Sequence, residues 1–171
     1  MKRLILVTLL VIGLASLASA EGFEKGKIYL GPTLGMAWSG LGLGVNGEYA
    51  IDKNWGIGGE ISYTSFGNNY GYSYKDTWTF IGVLAAGSYH FTLKNSKLDP
   101  YLKAGLGYFH WGVSHPTGYE GSWGGLGYNS GIGFEGAAGL RYFFSPSMAG
   151  RAQVGFPFYL GVGIDFALGG K

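Results

Sequence analysis

The 171-residue sequence has no cysteine and only five prolines. Without thiols there is no disulfide framework, no thiolate metal site and no cysteine nucleophile. Charge is scarce too: Asp, Glu, Lys and Arg make up 13% of the chain, against roughly 25% in a soluble domain. The one long apolar run, Leu4 to Leu17, is too short to span a bilayer well as a helix. What is abundant is glycine, at 34 residues, with 47% hydrophobic and 17% aromatic residues. Such a composition collapses, which excludes disorder. The glycines do not recur every third residue, which excludes collagen. A formal net charge of +2 points to no nucleic-acid partner.

That small excess comes from the first twenty residues. Lys2 and Arg3 precede the apolar run, and Ala18-Ser19-Ala20 supplies small residues ahead of Glu21. This is the layout of a secretory signal peptide, so residues 1–20 are expected to be cleaved and 21–171 to form one domain. Removing Lys2 and Arg3 leaves ten basic and ten acidic residues, and a net charge of zero.

Beyond Glu21 the dominant signal is a period of two. Phe158, Leu160, Val162, Ile164, Phe166 and Leu168 alternate with Tyr159, Gly161, Gly163, Asp165 and Ala167. Leu41, Leu43, Val45, Tyr49 and Ile51 likewise interleave with Gly42, Gly44, Asn46, Glu48 and Ala50. Similar segments begin near Lys27, Trp55, Thr77, Pro100, Gly131 and Met148. Strict alternation argues for strands, and no connection has room for a crossover helix, so the sheet is an antiparallel meander of eight strands. Tyr70 to Phe80 and Ile81 to Phe91 carry their apolar residues on opposite parities. This predicts a β-bulge beside Gly82.

Such a meander can close with its apolar face inward, as in soluble lipocalin-like barrels, or outward, as in outer-membrane barrels. A soluble barrel would show water a Gly-rich face with about one charge per strand, too few for solubility. An outer-membrane barrel places the same face in a narrow lumen that small side chains and a few charges fill. Closure is then obligatory, because lipid offers no partner to a free strand edge. Outward parity puts Trp38, Tyr63, Trp78, Tyr108, Phe156 and Phe158 at one rim and Tyr49, Trp55, Tyr89, Phe91, Tyr142 and Phe166 at the other. Two such girdles are expected at the membrane interfaces.

Gly139-Leu140-Arg141-Tyr142-Phe143-Phe144-Ser145-Pro146, the closing Gly163-Ile164-Asp165-Phe166-Ala167-Leu168 and the eight-segment pattern together resemble the small OmpA/OmpX-like outer-membrane barrels of Gram-negative bacteria. The resemblance covers the whole mature chain. It implies insertion into the outer membrane with help from the assembly machinery, contact with outer-membrane lipid and lipopolysaccharide, and a monomer without cofactor. It does not imply one activity, because members of that family are envelope-stabilising, adhesive, defensive or enzymatic.

Inward parity collects Glu48, Glu60, Lys103, Glu135, Arg141, Arg151 and Asp165 in the lumen. Strand six faces strand two across a ring of eight, and strand seven faces strand three. The expected pairs are therefore Arg141 with Glu48 and Arg151 with Glu60, with Asp165 beside Arg151. A lumen filled in this way is plugged rather than open; the alternative is a narrow, porin-like channel.

Gly42 to Gly47 and Gly131 to Gly136 fit a dinucleotide-binding spacing, but no helix follows either, so the phosphate-binding N-terminus is missing. Ser114, His115, Glu120 and Ser122 with nearby His110 supply the residue types of a hydroxyl nucleophile and its base, as a lipid A-modifying enzyme would need. Their spacing matches no barrel-enzyme motif, and the expectation is no catalytic site. His90, on the inward parity, is expected to be a hydrogen-bonded lumen residue, and the three scattered histidines give no metal site. The connections Gly67 to Asp76 and Gly112 to Asn129 are Tyr-, Gly- and Ser-rich. Such segments suit an extracellular ligand.

Overall fold

Alternation of large apolar with small or polar residues leaves each strand one face for an apolar surrounding and one for a crowded interior. A computed structural model describes residues 22–37, 40–70, 74–114 and 130–169. Eight strands follow in order: β1 (Ile28–Ala37), β2 (Gly40–Ala50), β3 (Trp55–Tyr70), β4 (Tyr74–His90), β5 (Leu98–Ser114), β6 (Gly131–Ser145), β7 (Met148–Phe156) and β8 (Leu160–Leu168). Each pairs antiparallel with its sequence neighbour, and the sheet closes into a barrel. The closing seam joins β1 to β8, from Ile28 opposite Leu168 to Met36 opposite Leu160. No strand edge is left along the seam, which meets the closure condition for lipid.

The outer wall is apolar. Leu30, Leu41, Val45, Ile57, Ile61, Val83, Leu102, Leu106, Val154 and Ile164 are all exposed. Moving one such side chain out of water contributes roughly 1.5–3 kcal/mol, so a hydrocarbon surrounding stabilises the wall that water would not. Thr33, Asn46, Ser62, Thr64, Ser88 and Gln153 are instead buried with the charged residues inside. The usual globular arrangement is inverted.

Two sequence expectations are corrected by the register. β3 and β4 pair without interruption from Trp55 opposite Tyr89 to Tyr70 opposite Tyr74. Most of the expected connection 67–76 is therefore hairpin ladder. β4 and β5 likewise pair evenly from His90 opposite Tyr101 to Thr77 opposite Ser114, so the ladder has no bulge beside Gly82. The parity change has another cause: Phe80, Gly82, Leu84, Ala86, Ser88 and His90 are one inward face, on which rings give way to a mixture of small, aliphatic and polar residues. The register shift that does occur lies between Phe143 and Ser145, where β6 turns into β7.

Candidate functional site

The lumen next to the chain termini is filled by charge. β2 supplies Glu48, β4 His90, β5 Asp99, β6 Arg141, β7 Arg151 and β8 Asp165, all buried. Arg141 lies at the centre. Its Nε donates to Asp165 Oδ2 at 2.6 Å and its Nη2 to Glu48 Oε2 at 2.5 Å. Nη1 approaches Asp99 Oδ2 at 3.5 Å. The guanidinium also lies over the rings of Tyr29 and Tyr101, at 5.0 and 5.3 Å. Planar fork geometry lets one Arg serve several carboxylates at once.

Arg151 completes the group. Its Nε lies 3.1 Å from both oxygens of Asp165, Nη1 donates to Gln153 at 2.9 Å and Nη2 to Thr33 at 2.8 Å. Tyr101 donates its hydroxyl to the same Gln153 oxygen at 3.0 Å. His90 sits between two carboxylates, with Nδ1 2.8 Å from Asp99 Oδ1 and Nε2 2.8 Å from Glu48 Oε1. Ahead of β1, Phe23 folds back over this mouth and stacks on His90, with ring centroids 3.6 Å apart and planes within 5°. Buried charge is tolerable only when paired and hydrogen-bonded, and each of these three cations meets at least one carboxylate.

Towards mid-lumen, Lys103 Nζ bridges Glu60 Oε2, at 2.8 Å, and Glu135, with Asn46 Oδ1 at 3.3 Å. The far half is dominated by aromatic rings, with Ser62 and Thr64 buried among them. Phe80 lies 5.3 Å from Phe109 and 4.7 Å from Trp111, and Phe109 lies 5.1 Å from Phe156. Phe158, just before β8, turns its ring inward against the neighbouring strands β1 and β2. A Cβ on Gly35 would run into Phe158 Cγ, and one on Gly42 into Thr64 Oγ1 and, at 2.6 Å, Phe158 Cε1. Any larger residue at those two positions would collide with the ring.

A closed eight-stranded wall, apolar outside and ion-paired within, is the design of an outer-membrane barrel. The profile of the outer membrane protein beta-barrel domain matches residues 7–171. The chain belongs to this family. Family membership places it in the cell outer membrane. No curated protein matches the chain. Among solved structures, it is similar in fold to the outer membrane protein OprG from Pseudomonas aeruginosa, with a TM-score of 0.65 and 11% identity over 89% of this chain and 100% of that one. A de novo designed transmembrane β-barrel aligns with a TM-score of 0.58 and 15% identity, over 85% of this chain and 98% of that one.

For a family barrel, the outward rings matter next. Tyr49, Trp55, Tyr89, Phe91, Tyr142 and Phe166 are exposed at the terminus-bearing rim, and Tyr63 and Tyr108 at the other. Three expected girdle members are not on the outer wall. Phe158 is 1% exposed: β7 ends at Phe156 and β8 starts at Leu160, so β8 parity does not reach back across Pro157. Phe156, beside the same turn, packs its ring on the inward Phe80 and Phe109. Trp78 shares the inward register of Phe80 and stacks on Phe66 at 6.5 Å, because no bulge separates them. Trp38 lies outside the described residues.

The expected pairing of Arg151 with Glu60 is replaced. Arg151 turns to neighbouring Asp165, and Glu60 is taken by Lys103, two strands away from it. Parity cannot settle this, because it assigns a face and not the reach of a side chain. Asp99 was missed, being assigned to the connection before Pro100; extending the Tyr101–Lys103 alternation back by two residues would have found it. Tyr29, Ser88 and Gln153 carried the same inward-parity signal. Phe23 carried none.

Among the described residues, no three His, Asp or Glu side chains form a metal-binding group. His115, Glu120 and Ser122 lie outside the described residues, while His110 Nδ1 sits 2.9 Å from Ser130 Oγ. Ser88, His90 and Asp99 resemble a nucleophile, base and acid, with Ser88 Oγ 3.1 Å from His90 Nε2. The chemistry fails on one contact. The same Nε2 faces Glu48, and Ser88 donates to that carboxylate as well. Both imidazole nitrogens therefore donate, and none is left to accept the serine proton as a general base must.

Proposed function

We propose that this outer-membrane barrel has a structural or surface-interaction role, and that its lumen is plugged rather than conducting. The observation that carries the reading is the continuous filling of the lumen: Phe23 and the Arg141 cluster at one end, Lys103 with Glu60 and Glu135 in the middle, and the Phe80, Phe109 and Phe158 rings at the other. Eight strands leave an interior that side chains can fill completely. A cavity of about 290 Å³ opens at the terminus-bearing mouth among Phe23, Lys53, His90, Phe91 and Asp99, and the filling beyond it supports a non-enzymatic protein over a porin-like channel or a lipid A-modifying enzyme.

In this reading residues 1–20 are a cleaved signal peptide, and the termini face the periplasm. The turns at that end, 51–54, 91–97 and 146–147, are all shorter than the 115–130 connection at the other end, as periplasmic turns are relative to outer loops. The β3–β4 hairpin tip and residues 112–129 then face outward, towards lipopolysaccharide and any extracellular ligand. The barrel is a monomer, inserted by the outer-membrane assembly machinery, which reads the closing strand.

Liposome swelling tests the plug. Vesicles reconstituted with the purified protein are expected to admit small sugars and amino acids no faster than empty vesicles. Swelling at the rate given by a general porin would overturn the reading. Unchanged lipid A acylation in cells with and without the protein is expected alongside.

A further inference from the structure

Charge is shared unequally between the two rims. Among the described residues, the terminus-bearing rim holds Lys25, Lys27, Lys53, Lys94 and Lys97 against two carboxylates, Glu24 and Asp52. Lys27 is engaged by Glu24 at 2.6 Å, and Asp52 accepts from the Lys53 backbone N–H at 2.6 Å. Lys25, Lys53 and Lys94 are exposed and Lys97 is half-buried. No ion pair among the described residues involves any of these four. Among the described residues, the lumen pairs its cations and this rim leaves four of its five lysines without an ion pair.

Their surroundings point to the occupant. Lys53 precedes Trp55 by two residues and Lys94 follows Phe91 by three. Trp55, Tyr89 and Phe91 form one outward ring cluster, edge to face, with centroids 5.0 Å apart from Trp55 to Tyr89 and 5.0 Å from Tyr89 to Phe91. Rings at the membrane interface beside long ammonium side chains match an anionic lipid: the acyl and glycerol parts meet the rings, and the lysine heads reach the phosphate. An acidic cell-wall polymer such as peptidoglycan would meet lysines at the end cap without needing the lipid-facing rings.

We propose that the Lys53–Trp55–Tyr89–Phe91–Lys94 patch binds an anionic phospholipid of the inner leaflet, with Lys25 and Lys97 adding to the field. This rests on the proposed periplasmic orientation of the termini. Native mass spectrometry of the full protein in detergent, with phosphatidylglycerol or phosphatidylcholine added, tests it. Phosphatidylglycerol adducts are expected to survive where phosphatidylcholine adducts do not. Retention falls about fivefold per lysine removed in Lys53→Gln and Lys94→Gln, while Lys75→Gln, at the far hairpin tip, leaves it unchanged. Equal retention of both lipids, an equal loss in Lys75→Gln, or capture of peptidoglycan fragments in preference to lipid would overturn the proposal.

Orientation is read separately. Because the chain has no cysteine, a Lys94→Cys variant carries a single thiol. An impermeant maleimide is expected to label it only after the outer membrane is opened. Labelling on intact cells would overturn the inner-leaflet assignment whatever the lipid retention shows.

Discussion

Next to the termini the lumen is lined by Arg141, Arg151 and His90 among Glu48, Asp99 and Asp165; at the far end it is lined by Phe80, Phe109, Phe156 and Phe158. The charged half depends on complete pairing, because a single unpaired ion in a dry interior costs several kcal/mol. The aromatic half depends on shape, because rings such as Phe158 fit only where the strands they lie against carry glycine. The same narrow barrel thus tolerates two kinds of filling, and each fails in its own way: one by losing a partner, the other by gaining or losing volume.

Removing the central cation is expected to have the largest effect. Arg141→Met leaves Glu48 and Asp165 without their closest cation and should cost about 3–5 kcal/mol, read as an earlier urea midpoint for unfolding in detergent. Adding Glu48→Gln should recover part of that loss, a non-additivity that marks a shared network. In the aromatic half, Phe158→Ala should cost about 3 kcal/mol through the cavity it leaves. It should show no such coupling to Glu48→Gln. Gly42→Ala tests the fit from the other side, with an expected loss of about 1–3 kcal/mol from overpacking; shortening Phe158 to Leu relieves only part of it, because the added Cβ also meets Thr64 Oγ1 and the Tyr63 carbonyl. Tyr101→Phe removes one hydrogen bond to Gln153 and should cost about 1 kcal/mol. If Gly42→Ala were neutral while Tyr101→Phe were severe, the division between a shape-limited and a pairing-limited half would be wrong.

The two halves also differ in how far the sequence reveals them. Alternation alone placed Glu48, Arg141 and Asp165 on the inward face, because charged residues among glycines and apolar neighbours leave one reading of each strand. It placed Phe158 outward, because a ring is compatible with lipid and lumen alike and the turn at Pro157 resets the parity. Trp78 is misplaced by parity for a related reason: a change from aromatic to mixed small and polar residues along one face mimics a slip in register. Partners were harder still. Arg151 and Glu60 were matched by strand position in the ring, whereas side-chain reach and the axial height of each residue decide that Arg151 meets Asp165 and Glu60 meets Lys103. The Phe23 cap lies before the first strand, where periodicity carries no information.

Planar-bilayer recording from the purified, refolded protein tests the closed lumen most directly. The wild-type barrel is expected to give no stable conductance steps, and the combined Arg141→Met and Phe158→Ala substitutions, which loosen both halves, are expected to give intermittent small ones. A large, steady conductance from the wild-type protein would contradict a lumen closed by these two layers.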